Sequence, residues 1–184
     1  MELHLIRHTP VLVDREVCYG RSEMELAAGF EDAVLDLKSK LAPNFDRVIS
    51  SPSQRCVRLA ATFGGYSTDP RLQEYDFGDW ELQPWDSIES TALDNWMKDF
   101  VNQRPPNGET VVEMSDRIAN FIDELRQPDS TRVLLTTHAG VIRCIWAALL
   151  NIPLAQIFKL HVGYGTVTRV DLGENSAYDK IWTE

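Results

Sequence analysis

Cysteine is scarce in this 184-residue chain: Cys18, Cys56 and Cys144 are odd in number, far apart and free of any Cys-x-x-Cys pairing. That excludes a disulfide framework and a zinc knuckle, and the three read as reduced thiols of a cytoplasmic protein. Basic charge is short as well. Eighteen Lys and Arg against 28 Asp and Glu leave a net charge of −10, without the basic stripe that nucleic acid or an anionic membrane requires. Long apolar runs are missing too. The longest, Val141 to Leu150, is interrupted by Arg143 and falls well short of the roughly 20 residues a bilayer needs. No secretory leader is expected, because Glu2 stands where a basic region should and the stretch Leu3 to Ile6 contains His4 and stops at Arg7. Repeats, low-complexity tracts and linkers are also lacking. An anionic small molecule survives all these exclusions, since a few local arginines and amides bind a phosphate whatever the remaining surface carries.

What the chain does have is apolar content, at 43%, and a length that suits one compact domain of roughly 100–200 residues, taken as 1–184. Glu2–Arg7 reads as a buried strand ended by His8, Thr9 and Pro10. Leu26 to Leu41 has helical spacing closed by Pro43, and Arg47–Ser50 is a short strand. Ser51 and Pro52 suit a helix cap and first turn, leading to a helix from Arg55 to Phe63 that Gly64 and Gly65 stop. Asp69 to Trp85 lacks periodicity and reads as an irregular loop, followed by a helix from Asp86 to Phe100 with a solvated acidic face. A helix from Glu109 to Arg126 ends before Pro128. Arg132–Thr137, apolar on both faces, is the clearest strand and leads through His138 into a helix ending at Leu150. Phe158–Val162, Thr166–Leu172 and Tyr178–Trp182 read as closing strands. This order implies a three-layer α/β domain with a mostly parallel sheet flanked by helices.

In such a sheet ligands sit outside the carboxyl ends of the strands. Three strand ends carry polar residues there: Arg7 and His8, Ser50 through Arg55, and Thr137 and His138. Two arginines and two histidines can surround one tetrahedral dianion, with arginine as a planar bidentate donor and histidine as nucleophile or donor. Each alone has a plain reading: a strand-end histidine, a solvated helix arginine, a buried core histidine.

Four ordered blocks also carry a resemblance. Leu5-Ile6-Arg7-His8-Thr9 resembles the Arg-His-Gly signature of the histidine phosphatase (phosphoglycerate mutase-like) superfamily, and Ser50-Ser51-Pro52-Ser53-Gln54-Arg55 resembles its Ser-Ser-x-x-x-Arg segment. Leu72 through Glu81 is similar to the loop that supplies the family's proton donor, and Thr137 through Arg143 to its second histidine motif. The resemblance implies His8 as nucleophile, Arg7 and Arg55 as phosphate clamps, His138 as a donor to the phosphoryl oxygens and Glu74 as acid and base, with Asp76 or Glu81 as alternatives. It implies no cofactor and no metal. Amides opening the helices at Arg55 and His138 are expected to share the phosphoryl charge. Thr9 and Leu82 stand where the family pattern has glycine. The run Cys18-Tyr19-Gly20-Arg21-Ser22 resembles the branch of α-ribazole phosphatase-like proteins of cobalamin synthesis, which implies a small phosphorylated metabolite as partner, with Gly20 and Arg21 touching it.

His4 and His161 read as structural. His4 and His8 share a strand face roughly 13 Å apart, too far for one zinc ion. Trp80, Trp85 and Trp96 are expected either to wall the site or to pack the core. Three functions compete: a metal-independent phosphomonoesterase, a mutase that returns the phosphoryl group to substrate, and an inactive phospho-ligand-binding module. The short chain beyond its last strand favours hydrolysis over the mutase, and the joint presence of Arg7, His8, Arg55 and His138 disfavours the inactive module.

Overall fold

In the computed structural model, which describes residues 1–41, 44–126, 131–173 and 175–183, the elements run as follows. β1 (Glu2–Arg7), α1 (Phe30–Lys40), β2 (Arg47–Ser50), α2 (Gln54–Ala60), β3 (Ser67–Thr68), α3 (Ser90–Lys98), α4 (Val111–Leu125), β4 (Arg132–Thr137), α5 (Ala139–Leu150), β5 (Val167–Asp171) and β6 (Lys180–Thr183) are joined by loops and short 3₁₀ turns. The strands form one sheet in the order β3-β2-β4-β1-β5-β6. The four from β3 to β1 are mutually parallel, and β5 runs antiparallel to both β1 and β6. Chain order passes from β1 to β2 while β4 fills the gap between them, so the carboxyl ends of β1, β4 and β2 lie side by side. Registers of Arg7 with Thr137 and Ser50 with Thr136 bring those ends level.

Strand alternation divides the core into two layers. Ile6, Val48 and Leu134 face Val34 and Leu37 of α1 and Leu59 of α2. Leu3, Leu5, Ile49, Val133 and Leu135 face the other way, toward Met114, Ile118 and Phe121 of α4 and Val141, Ile142 and Ile145 of α5. Each such side chain, fully buried, contributes about 1.5–3 kcal/mol of apolar transfer, which fixes the three strand ends as a rigid platform.

Several boundaries differ from those read in the sequence. α1 begins at Phe30 rather than Leu26, because Gly29 turns left-handed (φ 85°) and Leu26 instead bridges Val11. Ser51 does not cap α2. Ser53 stands at that position without a capping bond, and the free Gln54 amide donates to Glu23 from a distant loop at 3.0 Å. α3 starts only at Ser90, after Glu89 accepts bonds from the Thr91 and Ala92 amides. α4 is set by a capping box between Thr110 and Glu113, so Glu109 stays outside it. Phe158–Val162 is not a strand: Leu154–Lys159 coils into 3₁₀ turns after Pro153, and β5 already occupies the free edge of β1. The two-residue β3 gave no signal, being polar and exposed. Pro43 and Pro128, read as helix stops, lie outside the described residues.

Leu82 occupies left-handed backbone, with φ 67°, while its side chain is 58% exposed. A β-carbon there is strained by roughly 1–2 kcal/mol, whereas glycine adopts this conformation freely at the cost of a more flexible unfolded chain. Leu82→Gly is therefore expected to stabilise the fold by about 0.5–1 kcal/mol net, read as a rise in the urea midpoint. A lower midpoint would mean that apolar contacts of Leu82 outweigh the strain.

Candidate active site

His8 follows β1 directly, and its amide donates to the Thr137 carbonyl of β4 at 2.9 Å, so both strand ends hold its backbone. Its ring is buried, and Nδ1 lies 2.8 Å from the Thr9 carbonyl. A carbonyl only accepts, so Nδ1 carries the proton and Nε2 keeps its lone pair. The carbonyl makes no demand for glycine at this position, and Thr9 meets it with its side chain buried and its Oγ1 unpartnered. Burial, then the positive charge of Arg55 and of Arg7, lowers the His8 pKa to about 3 despite the Thr9 bond. The imidazole is thus neutral.

His138 stands at the start of α5, fully buried behind His8, with ring centres 5.3 Å apart. The Arg55 guanidinium donates to its Nδ1 at 3.3 Å, which leaves the proton on Nε2, directed at the Ser51 hydroxyl 2.8 Å away. Burial and the Arg55 charge hold its pKa well below the ordinary histidine value. Arg55 is itself only 1% exposed, and its two terminal nitrogens donate to the Ser22 and Gly20 carbonyls at 2.7 and 2.6 Å. Its Nε is buried without a partner, as is that of Arg7. Two guanidinium groups and two uncharged imidazoles thus meet from three separate stretches of chain, with no carboxylate bound to either arginine among the described residues.

Both neutral histidines have a consequence for stability. Their folded pKa values lie below the unfolded value of about 6.5, so below that pH the unfolded chain binds protons that the folded chain does not. Stability must therefore fall as pH drops from about 6.5 toward about 3, by as much as roughly 1.4 kcal/mol per unit for each group. His8→Asn is expected to flatten this slope in urea titrations between pH 4 and 6.5. An unchanged slope would mean that His8 is protonated in the fold.

Across the cavity sits Glu74, whose carboxylate accepts from the Tyr75 amide at 2.9 Å and the Gly140 amide at 3.1 Å. A β-carbon on Gly140 would come within 2.2 Å of Glu74 Oε1, so glycine at the first turn of α5 is what lets the carboxylate lie there. The two alternatives are placed elsewhere. Asp76 pairs with Arg21 at 3.1 Å and caps Gly78, and it does not line the cavity. Glu81 accepts from the Arg21 and Ser22 amides and the Ser22 hydroxyl. Burial pushes its carboxyl up, but these bonds and one from Phe77 outweigh that and leave it below the ordinary range.

Gly20 and Arg21 are not brought into the cavity either. Gly20 packs against the Tyr75 carbonyl, where a β-carbon would come within 1.9 Å, and Arg21 is held by Asp76, Glu109 and the Glu74 carbonyl. They tie the loop bearing Glu74 to the loop that grips Arg55. Of the helix-opening amides expected to face phosphate, Gln54 is spent on Glu23 and Gly140 on Glu74. His4 bonds Glu2 at 2.7 Å and packs edge-on to Phe45, as a structural residue does.

The cavity, about 260 Å³, is lined by Arg7, His8, Arg55 and Glu74 together with apolar residues that include Val17, Phe77, Trp85, Met114 and Phe158. Trp80 and Trp96 pack against each other in the core, so Trp85 alone of the three expected tryptophans lines the cavity. Arg15, Tyr19 and Arg143 also line it and were not singled out from sequence. Arg143 lies within the second histidine motif and Tyr19 within the run from Cys18 to Ser22, while Arg15 carries no signal beyond loop position.

This geometry finds a match in known proteins. The sequence profile of the histidine phosphatase superfamily (branch 1) matches residues 3–183. The chain belongs to that superfamily. It is a phosphatase of the family, and its solved neighbours share its fold. The α-ribazole phosphatase from Shigella flexneri superposes with a TM-score of 0.87 at 25% identity, covering 100% of this chain and 95% of that one. Phosphoserine phosphatase from Entamoeba histolytica, crystallised with phosphoserine, superposes with a TM-score of 0.83 at 17% identity over 98% of this chain and 94% of that one, a likeness of fold alone. A Yersinia pestis protein named "Probable phosphoglycerate mutase GpmB" is 28% identical over 195 residues, 99% of this chain and 90% of that protein. No helix among the described residues of this histidine phosphatase is long and apolar enough to cross a membrane.

Proposed function

We propose that this histidine phosphatase hydrolyses a small phosphomonoester in two displacements through a phosphohistidine on His8, with the positive charge supplied by arginines. The observation that carries the proposal is the His8 ring: Nδ1 is fixed on the Thr9 carbonyl, which leaves Nε2 unprotonated on a residue that lines one cavity together with Arg7, Arg55 and Glu74. In the first step Nε2 forms a bond to phosphorus, the bond to the ester oxygen breaks, and the Glu74 carboxyl gives that oxygen its proton. In the second step water attacks phosphorus, Glu74 takes a proton from it, the P–N bond breaks, and inorganic phosphate leaves. Arg7 and Arg55 offset charge on the phosphoryl oxygens throughout, and His138 supports Arg55 from behind.

The walls support a finer reading of the leaving group. Trp85, Phe77 and Phe158 line the same cavity as the arginines, and aromatic lining suits a ring-bearing alcohol such as the ribazole of α-ribazole 5′-phosphate, the substrate class in the name of the Shigella protein. Domain extent follows the same reading: residues 1–184 act as one unit, since the cavity draws on loops from Arg7 through Phe158.

Rapid acid-free quenching of the enzyme with a labelled aryl phosphate, in the presence of EDTA, tests the chemistry. Expected are release of inorganic phosphate and an acid-labile, base-stable label on the protein. Transfer to an acceptor alcohol without release to water would favour a mutase, and absence of both label and release across several phosphoesters would favour a binding module. Arg55→Ala is expected to lower kcat/KM by roughly 10²–10³-fold, the loss typical of one preorganised charge-stabilising donor. Arg55→Lys should restore little, because a point charge cannot reach Gly20, Ser22 and a phosphoryl oxygen together.

A further inference from the structure

The two clamp arginines are each gripped by a loop that supplies no reacting group. Arg7 donates to the Val162 carbonyl at 2.6 Å, and its guanidinium carbon lies 3.8 Å from the ring centre of Tyr164. Arg55 donates to Gly20 and Ser22, and its guanidinium carbon lies 5.7 Å from the ring centre of Tyr19. The hydroxyls of Tyr19 and Tyr164 are 2.6 Å apart, a bond between residues 145 positions distant in the chain. Tyr164 also tilts over His8, with ring centres 5.4 Å apart.

We infer that Tyr19 and Tyr164 form a latch that sets the spacing of Arg7 and Arg55 around the phosphoryl group. Both are positioning residues, and the inference rests on the reading of this cavity as the phosphate site. Stacking on a phenol face leaves the N–H donors in the guanidinium plane free for an anion, while it fixes that plane. Two guanidinium groups that share a small site repel each other whenever no dianion lies between them. A bond joining the two rings opposes their separation, so the empty site keeps the geometry it needs when substrate arrives. Burial and the Tyr164 bond push the Tyr19 phenol well above its ordinary value, so the bond persists as a neutral one across the working pH range. The loop bearing Tyr164 is tied to the nucleophile as well: the Gly165 amide, at φ 65°, donates to the Arg7 and His8 carbonyls. Displacement of the latch would therefore reach both arginines and the backbone of His8 together.

A double-mutant cycle of Tyr19→Phe and Tyr164→Phe tests this, read as the affinity for inorganic phosphate by calorimetry together with KM and kcat. Each single change is expected to weaken phosphate binding roughly 2- to 10-fold, the effect of one hydrogen bond. The double variant should be no weaker than the poorer single, because both remove the same bond. Tyr164→Leu should weaken binding further by removing the ring over Arg7, and Tyr164→Phe should recover that part. A purely structural role would lower the melting midpoint and leave phosphate affinity unchanged. That result, or two effects that add, would overturn the latch. If the wild type binds phosphate but hydrolyses no ester, the proposed function fails while the affinities still decide the latch. A wild type that does not bind phosphate overturns it as well.

Discussion

Replacement of His8 by alanine is expected to abolish turnover, with a loss on the order of 10⁴-fold or more in kcat, the scale seen when a covalent nucleophile is removed. The magnitude follows from the role proposed for the ring. Without Nε2 the only route left is direct attack of water on a dianion whose charge Arg7 and Arg55 still offset, so substrate should bind near its normal affinity. KM should change far less than kcat. The fold should persist, because the His8 amide bond to Thr137 belongs to the backbone and survives the substitution. Removing the ring also removes the group that Tyr164 overlies, but Arg7 remains beneath that tyrosine at 3.8 Å. The measurement is single-turnover kinetics with the labelled ester: the label on the protein must disappear along with turnover. Activity within tenfold of the wild type, or a label that persists, would move the nucleophile to another residue.

Much of this arrangement is legible in the chain because it depends on strand ends, and strands with both faces buried advertise themselves. β1, β2 and β4 were bounded correctly from Glu2–Arg7, Arg47–Ser50 and Arg132–Thr137, since each is an apolar run broken by polar residues that serve the site. Residues that stand next to such an end, His8, Arg55 and His138, could be named as neighbours for the same reason, and the fold does bring them together. What could not be read depends on where a loop closes in space. Gly20 looked like a place for substrate to approach the backbone, yet it is Tyr75 that approaches, at a distance no periodicity encodes. Arg21 looked like an anion contact, and its anions are Asp76 and Glu109 of the protein itself. The segment Phe158–Val162 has the composition of a strand, but the open edge of β1 is taken by β5 later in the chain. Tyr164 lies between two glycines, which signals a turn; that the turn folds back onto Arg7 follows only from the pairing of β1 with β5.

Glu74→Gln carries the second large effect, an expected loss of roughly 10²–10⁴-fold in kcat for substrates with alkyl leaving groups. The size should depend on the ester, and that dependence identifies the proton donor. An alkoxide cannot leave without a proton, whereas a nitrophenolate can, so the first step on a nitrophenyl phosphate should be nearly indifferent to the carboxyl group. With that substrate the variant should still label His8 quickly and then stall, because the second step needs Glu74 to accept a proton from water. Accumulated phosphohistidine is thus the expected signature, opposite to the His8→Ala result. Asp76→Asn should show no such leaving-group dependence, since Asp76 pairs with Arg21 and neither residue lines the cavity. Gly140→Ala gives an independent check that leaves every titratable group in place. Its β-carbon would fall within 2.2 Å of Glu74 Oε1 and 2.9 Å of Met114 Cε, so the carboxylate must swing away while Arg7, His8 and Arg55 stay put. The variant should reproduce the leaving-group dependence of Glu74→Gln with inorganic phosphate affinity unchanged. Equal losses in the rate of His8 labelling by alkyl and nitrophenyl esters in both variants would show that this carboxylate orients substrate and that protons move by another path.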